Sequence, residues 1–161
     1  MYDLTVPIGD HSLVIRVGSV VVRGTRTLLC RGDGDEFWYL PGGRVQAGET
    51  LVDAVQRELR EELTCKFEIV RAIAFAENFF VMNGVRYQEL GTYFVSTLLG
   101  DESEVPSREG KEIRRWFDID TARGMGIKPD FAVELLQDIN QPFRMISNRD
   151  GVGMSDIPIS P

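Results

Sequence analysis

Between Gly43 and Cys65 the chain reads GRVQAGETLVDAVQRELREELTC, and no other segment constrains the fold as much. Gly43 is followed by Glu49 with five residues between them, and then, after seven more, by Arg57-Glu58-Leu59-Arg60-Glu61-Glu62. The pattern predicts a helix from Thr50 to about Leu63. Thr50 stands where an N-cap belongs, and Asp53 completes a capping box. At about 100° per residue, Glu58, Glu61 and Glu62 fall within about a third of the helix circumference, while Val52, Val55, Leu59 and Leu63 form the adjoining apolar stripe. One face packs and its neighbour is crowded with negative charge. Like charges three and four residues apart destabilise a bare helix, so the cluster calls for compensating cations or some other reason to exist. Hard divalent ions suit it, because Mg²⁺ prefers carboxylate and water oxygens and bridges to substrate phosphates. A solvated surface helix would explain the acids but not the Gly42-Gly43 lead-in, nor Glu49 and Arg57 at their spacings.

This spacing resembles the Nudix box: glycine, five residues, glutamate, seven residues, then Arg-Glu-aliphatic-x-Glu-Glu-x-Gly-aliphatic. Gly43, Glu49, Arg57, Glu58, Leu59, Glu61 and Glu62 match, and Cys65 is an acceptable apolar ending. Thr64 stands where the pattern has its second glycine. A glycine there would suit a left-handed helix stop that a β-branched residue adopts only at a cost, so a different helix exit is expected. The preceding Trp38-Tyr39-Leu40-Pro41-Gly42 resembles the usual lead-in. The resemblance implies an α+β fold of the α/β/α sandwich type around a mixed β-sheet. It also implies a single domain over 1–139, with the box at 43–65.

Composition narrows the partners. The chain has 161 residues, 43% of them hydrophobic, and a net charge of −7. That length suits one domain with a real core. The acidic balance argues against a polynucleotide or an anionic membrane as partner, since phosphate binding at large scale relies on Lys and Arg. Small phosphorylated nucleotides stay open, because a bound metal locally inverts the charge. No segment approaches the roughly 20 apolar residues of a membrane span, and the first residues lack the regions of a secretory signal, so a cytoplasmic location is expected. Cys30 and Cys65 read as buried reduced thiols, and His11 as a surface residue. A homodimer is compatible with the sequence.

Hydrophobic alternation predicts a strand over Ser12–Val22, a turn at Arg23–Arg26 and a returning strand at Thr27–Cys30. Pro41, Gly42 and Gly43 mark a tight corner, where glycines permit positive φ and close approach of backbone to a ligand. Lys66–Met82 and Val85–Leu99 read as two long strands joined by Asn83-Gly84, a strong hairpin signal. Asp101–Glu112 reads as a polar loop, Ile113–Ile119 as a strand, and Thr121–Met125 as a brief helical turn. An amphipathic helix is expected from Pro129 to about Ile139, with Phe131, Val133, Leu135, Leu136 and Ile139 packing. From 140 to 161 the polar, Gly- and Pro-broken sequence predicts a loosely held tail.

For function, the resemblance implies a metal-dependent pyrophosphohydrolase that cleaves a nucleoside diphosphate linked to another moiety by attack of water on phosphorus. Glu58, Glu61 and Glu62 are its implied ligands for Mg²⁺, with Mn²⁺ able to substitute, and the Gly42 carbonyl is a weaker candidate. Arg57 is placed to orient Glu49 or a ligand carboxylate through its guanidinium fork. The general base lies within the box or on a later element. Two later acids stand out: Glu89, embedded in an apolar strand, and Glu112, which occupies a place where the family often carries a glutamate near the metals. Glu89 is ranked first as the additional catalytic acid. Phe37, Trp38, Phe79, Phe80, Tyr87 and Trp116 supply more aromatic candidates for a nucleobase than the sequence can order, and most belong to the core. The alternative is a non-catalytic Nudix domain that senses a nucleotide or sugar phosphate. The retention of Glu49, Arg57, Glu58, Glu61 and Glu62 favours the enzyme.

Overall fold

The computed structural model describes residues 2–63, 65–99, 112–137, 139–149 and 152–157. A mixed sheet runs β7-β3-β2-β6-β5-β8-β9, with β1 and β4 both paired to β2. The strands are β1 (Thr5–Ile8), β2 (His11–Arg23), β3 (Arg26–Gly32), β4 (Gly42–Arg44), β5 (Lys66–Met82), β6 (Val85–Leu99), β7 (Glu112–Asp118), β8 (Arg144–Arg149) and β9 (Val152–Ile157). The β2–β6 and β5–β8 pairs are parallel; β5–β6, β2–β3 and β3–β7 are antiparallel. Asn83 and Gly84 both take positive φ, 51° and 77°, as their hairpin turn requires.

Alternation along the strands divides the core in two. On β2 and β6, Val17, Val21, Phe94 and Leu98 face α1 (Leu51–Glu62) and pack with its Val55 and Leu59, together with Leu63 just beyond its end. Their sequence neighbours Val20, Val22, Tyr93 and Val95 face the other way. There they meet Ala122 of α2 (Ile119–Arg123), Leu135 and Leu136 of α3 (Ala132–Gln137), and Phe131. Helices therefore cover both faces of a mixed sheet, the α/β/α arrangement expected. Val52 departs from the expected stripe. It lies in the first helical turn and is 47% exposed, so Ala54 takes the buried place beside Val55.

β2 and β3 pair only at Val22–Thr27 and Arg23–Arg26, next to their turn, and then diverge. The chain from Tyr39 to Arg44 fills the gap. The Cys30 amide donates to the Tyr39 carbonyl at 2.9 Å, the Ser19 amide donates to the Pro41 carbonyl at 2.9 Å, and β4 pairs with Arg16–Gly18 of β2. This opening brings the glycine corner against the carboxylate face of α1.

Two expectations for the chain beyond residue 128 need correction. The helix expected from Pro129 to Ile139 forms only over Ala132–Gln137, although Phe131, Leu135 and Leu136 are buried as foreseen. The loose tail expected from Asn140 contains β8, which lies parallel to β5 from Ala74–Arg144 to Phe79–Arg149, and β9 pairs with it in turn. Backbone pairing along the open edge of β5 and the burial of Ile146 hold a segment whose polar letters signal loop. The reading of Thr64 as an altered helix exit lies outside the described residues, as does the loop expected over 101–112 except for Glu112, which opens β7 instead; Leu63, the last residue before Thr64, is already extended. Cys30 and Cys65 are buried thiols, and His11 is exposed. Among the described residues no helix is long and apolar enough to cross a membrane.

Candidate active site

Helix α1 begins as its sequence dictates. The Asp53 amide donates to the Thr50 hydroxyl at 3.1 Å, and the Thr50 amide donates to the Asp53 carboxylate at 3.3 Å. Fixed at that end and held by the buried Val55 and Leu59, the helix turns Arg57, Glu58 and Glu62 toward the glycine corner. Arg57 is the hub. Its Nε and Nη2 grip the two Glu49 oxygens at 3.0 and 2.7 Å, Nη1 reaches Glu58 at 2.7 Å, and Nη2 also donates to the Arg44 carbonyl at 3.0 Å. Glu49 is held from its other side by the Gln46 amide at 2.6 Å. The hydrogen bonds from Arg57 are the largest cause holding the Glu49 carboxyl below its usual range, and in return Glu49 keeps the guanidinium charged above its already high value. Glu61 is the outermost of the box acids, its side chain 60% exposed and 3.4 Å from Arg57.

The two glycines serve different ends. Gly42 has φ of +138°, and a Cβ there would stand 2.3 Å from the Val17 carbonyl. Gly43 does not need positive φ, contrary to expectation. A Cβ there would stand 2.5 Å from the Glu58 carboxylate, so the missing side chain makes room for a box acid and not for a ligand.

Glu62 carries the most perturbed carboxyl of the site. Burial pushes its pKa up to about 8, the charge of Glu112 pushes the same way, and Arg114 opposes both. One of its oxygens meets the Gly42 amide at 3.5 Å; the other is buried with no hydrogen-bond partner. Glu58 is also raised, chiefly by burial, with Arg57 opposing. Glu112 reaches this group from β7. The Tyr39 hydroxyl donates to it at 3.0 Å, and the nearly buried Arg114 pairs with it at 2.9 Å. Cys30 lies in the field of Glu62 and Glu112, and burial pushes its thiol well up. Among the described residues no three His, Cys, Asp or Glu side chains form a ready-made cage for a metal.

Beside this cluster opens a cleft of about 720 Å³ whose lining includes Arg16, Gly42, Arg44, Glu89 and Glu112 together with Asn78, Phe80, Tyr87 and Asn148. Alternation explains the gathering. Val14 and Arg16 on β2, Tyr87 and Glu89 on β6, and Asn78 and Phe80 on β5 each lie two residues apart, so each pair shares a face of its strand. Glu89 is 7% exposed. It faces the guanidinium of Arg16, which donates to the Gly42 carbonyl at 3.4 Å. Although burial alone lowers the Arg16 pKa, the charge of Glu89 and lesser contributions from Tyr93, Glu62 and Glu58 raise it overall.

Of the aromatic candidates, Phe37, Phe80 and Tyr87 line the cleft. Trp38 is 7% exposed in the core, Trp116 packs with the α1 cluster, and Phe79 lies under Arg149. Sequence reasoning did not single out Arg16, Asn78, Tyr39, Arg114 or Asn148. Period-2 alternation was the available signal for Arg16 and Asn78, both polar on strands with apolar faces. Nothing local marks Asn148, whose strand was read as tail.

Comparison with known proteins agrees with this architecture. Residues 13–137 match the NUDIX domain family. The human protein 8-oxo-dGDP phosphatase NUDT18 is 48% identical over 46 residues, which is 27% of this chain and 13% of that protein. The chain therefore aligns with only a small part of that curated relative. A NUDIX hydrolase from Nitrosomonas europaea superposes with a TM-score of 0.62 at 23% identity, covering 84% of this chain and 77% of that one. The MutT protein from Bacillus halodurans gives 0.61 at 17% identity, over 88% and 94% of the two chains. With the family match spanning most of the sequence and the box acids gathered at one corner of the expected fold, the chain belongs to the NUDIX family.

Proposed function

We propose that this protein is a metal-dependent pyrophosphohydrolase that cleaves a nucleoside diphosphate linked to another moiety, with water attacking phosphorus. Glu62 carries the reading. A buried carboxylate with a free oxygen, raised to about 8 and set between Glu58 and Glu112, is short of positive charge, and its donors are the hard oxygens that Mg²⁺ or Mn²⁺ takes. Glu58, Glu61 and Glu62, with Glu112 and the Gly42 carbonyl, would hold the ion. Bound there, it supplies neutralisation of phosphate oxygens and a lowered pKa for water.

The chain's own groups do the rest. Arg16 and Arg44 face the cleft from adjoining strands and suit the oxygens of a diphosphate. Arg57, fixed on Glu49, holds Glu58 in one orientation. Glu89, facing Arg16 in the cleft, is assigned the proton of the attacking water, while Glu112 stays with the metal ligands because its charge acts on Glu62. Arg57 orients and does not transfer a proton, since a guanidinium has none to give near neutral pH.

The test is an assay of nucleoside diphosphates, nucleoside diphosphate sugars and nucleoside triphosphates with Mg²⁺ or Mn²⁺. Because the human relative is named for 8-oxo-dGDP, that compound and GDP belong at the head of the panel. Turnover of at least one member that stops on adding excess chelator is expected. Activity that survives the chelator would contradict metal dependence, and inertness across the panel would contradict the enzyme. For the base, pH-rate profiles of Glu89→Gln and Glu112→Gln decide: the Glu89 variant should lose the acidic limb, and its retention would move the assignment elsewhere.

A further inference from the structure

Across the cleft, one row of residues crosses four strands, from Val14 and Glu89 to Asn78 and Asn148. Val14 pairs with Glu89, Glu89 with Asn78, and Asn78 with Asn148, carrying the row across β2, β6, β5 and β8. All four line the cleft. In the next row Phe80 pairs with Tyr87, and their rings stack 5.1 Å apart at 11° from parallel. Asn78 is 6% exposed between Ala76 and Phe80 on its own strand face, where an apolar side chain would pack without the cost of burying an amide.

The two carboxamides are joined by one hydrogen bond, Asn148 Nδ2 donating to Asn78 Oδ1 at 2.8 Å. That bond uses one donor and one acceptor, leaving the Asn78 amino group beside the Asn148 carbonyl. Turning both amides over reverses the bond and swaps the two roles. Either way the couple presents one donor next to one acceptor. The edge of a nucleobase offers the complement: a carbonyl beside a ring N–H, or an amino group beside a bare ring nitrogen.

We propose that the Asn78–Asn148 couple reads the hydrogen-bonding edge of a nucleobase that rests against the Phe80–Tyr87 platform. This rests on the cleft being a nucleotide site, with the diphosphate toward Arg16 and Gly42. Because the two amides turn over together, the couple accepts keto and amino bases alike. It selects for a base over a bare sugar phosphate and discriminates weakly among bases.

Replacing one amide by a carboxylate breaks that neutrality. In Asn148→Asp the new group cannot donate, so Asn78 must turn its amino group toward it, and the couple then offers two acceptors. Guanine meets two acceptors with adjacent ring and exocyclic N–H donors; adenine has only its amino group. Calorimetry with the α,β-methylene diphosphates of guanosine and adenosine, in the presence of Mg²⁺, measures binding without hydrolysis. The wild type should bind the two within a few-fold of each other. Asn148→Asp should shift the ratio by about tenfold or more toward guanosine. Asn148→Ser, which shortens the side chain with little risk to the fold, should weaken both ligands together.

A ratio that Asn148→Asp leaves unchanged, or a wild type that binds neither ligand, would overturn the assignment. Turnover of the guanosine and adenosine members of the assay panel, diphosphates, diphosphate sugars and triphosphates together, separates the two readings. A shifted binding ratio with no turnover leaves the base reader standing and removes the hydrolase. Turnover with an unmoved ratio does the reverse.

Discussion

In the same sense as Glu58, which burial also raises, Glu62 contributes to the pH response of the metal-free protein. Its ordinary value is 4.5, and in the folded protein burial moves it up to about 8. An acid whose pKa rises on folding holds its proton more tightly in the native state. The native state is therefore favoured below 4.5, and stability falls as pH climbs from there to about 8. Thermal melts in chelator should show that decline, and Glu62→Gln should flatten it by gaining most at the alkaline end. An unchanged slope in the variant would show that the carboxyl is solvated. Glu49 contributes with the opposite sign: its lowered pKa supplies stability above the usual carboxylate range that is lost on acidification. Arg57→Lys keeps the charge but cannot fork onto Glu49 while reaching Glu58, so activity should fall by about 10- to 100-fold. Equal rates in that variant would remove the orienting role. These residues were legible in the sequence because their spacing is fixed by one helix. Glu112 was legible only through the resemblance, since it reaches Glu62 from a strand fifty residues further along the chain.

At the scale of elements, hairpins and the box helix could be read because each is specified locally, by Asn83-Gly84, by β2 and β3 on either side of their turn, and by Thr50 with Asp53. What could not be read depends on partners remote in sequence. β8 is polar along much of its length, and its pairing with β5 spans about seventy residues of chain. Its polar letters include Asn148, which faces the cleft. The same separation hid the role of Gly43, whose conformation is ordinary and whose constraint is the carboxylate of Glu58. If β8 is an integral strand, its buried Ile146 should matter as much as a core residue elsewhere. Ile146→Ala should cost about 2–5 kcal/mol in urea unfolding. A loss below about 0.5 kcal/mol would mean that the strand adds little to the fold.

For the molecule as a whole, the sheet brings two unlike surfaces side by side. Where β2 and β3 diverge, the carboxylates of α1 meet the glycine corner; beside it, alternation on β2, β6, β5 and β8 lines a cleft with Arg16, Glu89, Asn78 and Asn148. An acidic chain of net charge −7 thus keeps guanidinium groups beside buried carboxylates, a combination that suits a cation and a diphosphate taken up together. The direct test follows oxygen during turnover of the best substrate in heavy-oxygen water with saturating Mg²⁺, comparing the wild type with Glu62→Gln. One labelled oxygen per turnover should appear on a phosphate of the product, and the rate should fall by about a hundredfold or more in the variant. Label in the sugar, or equal rates in the two proteins, would contradict attack on phosphorus at a metal site built from the box acids.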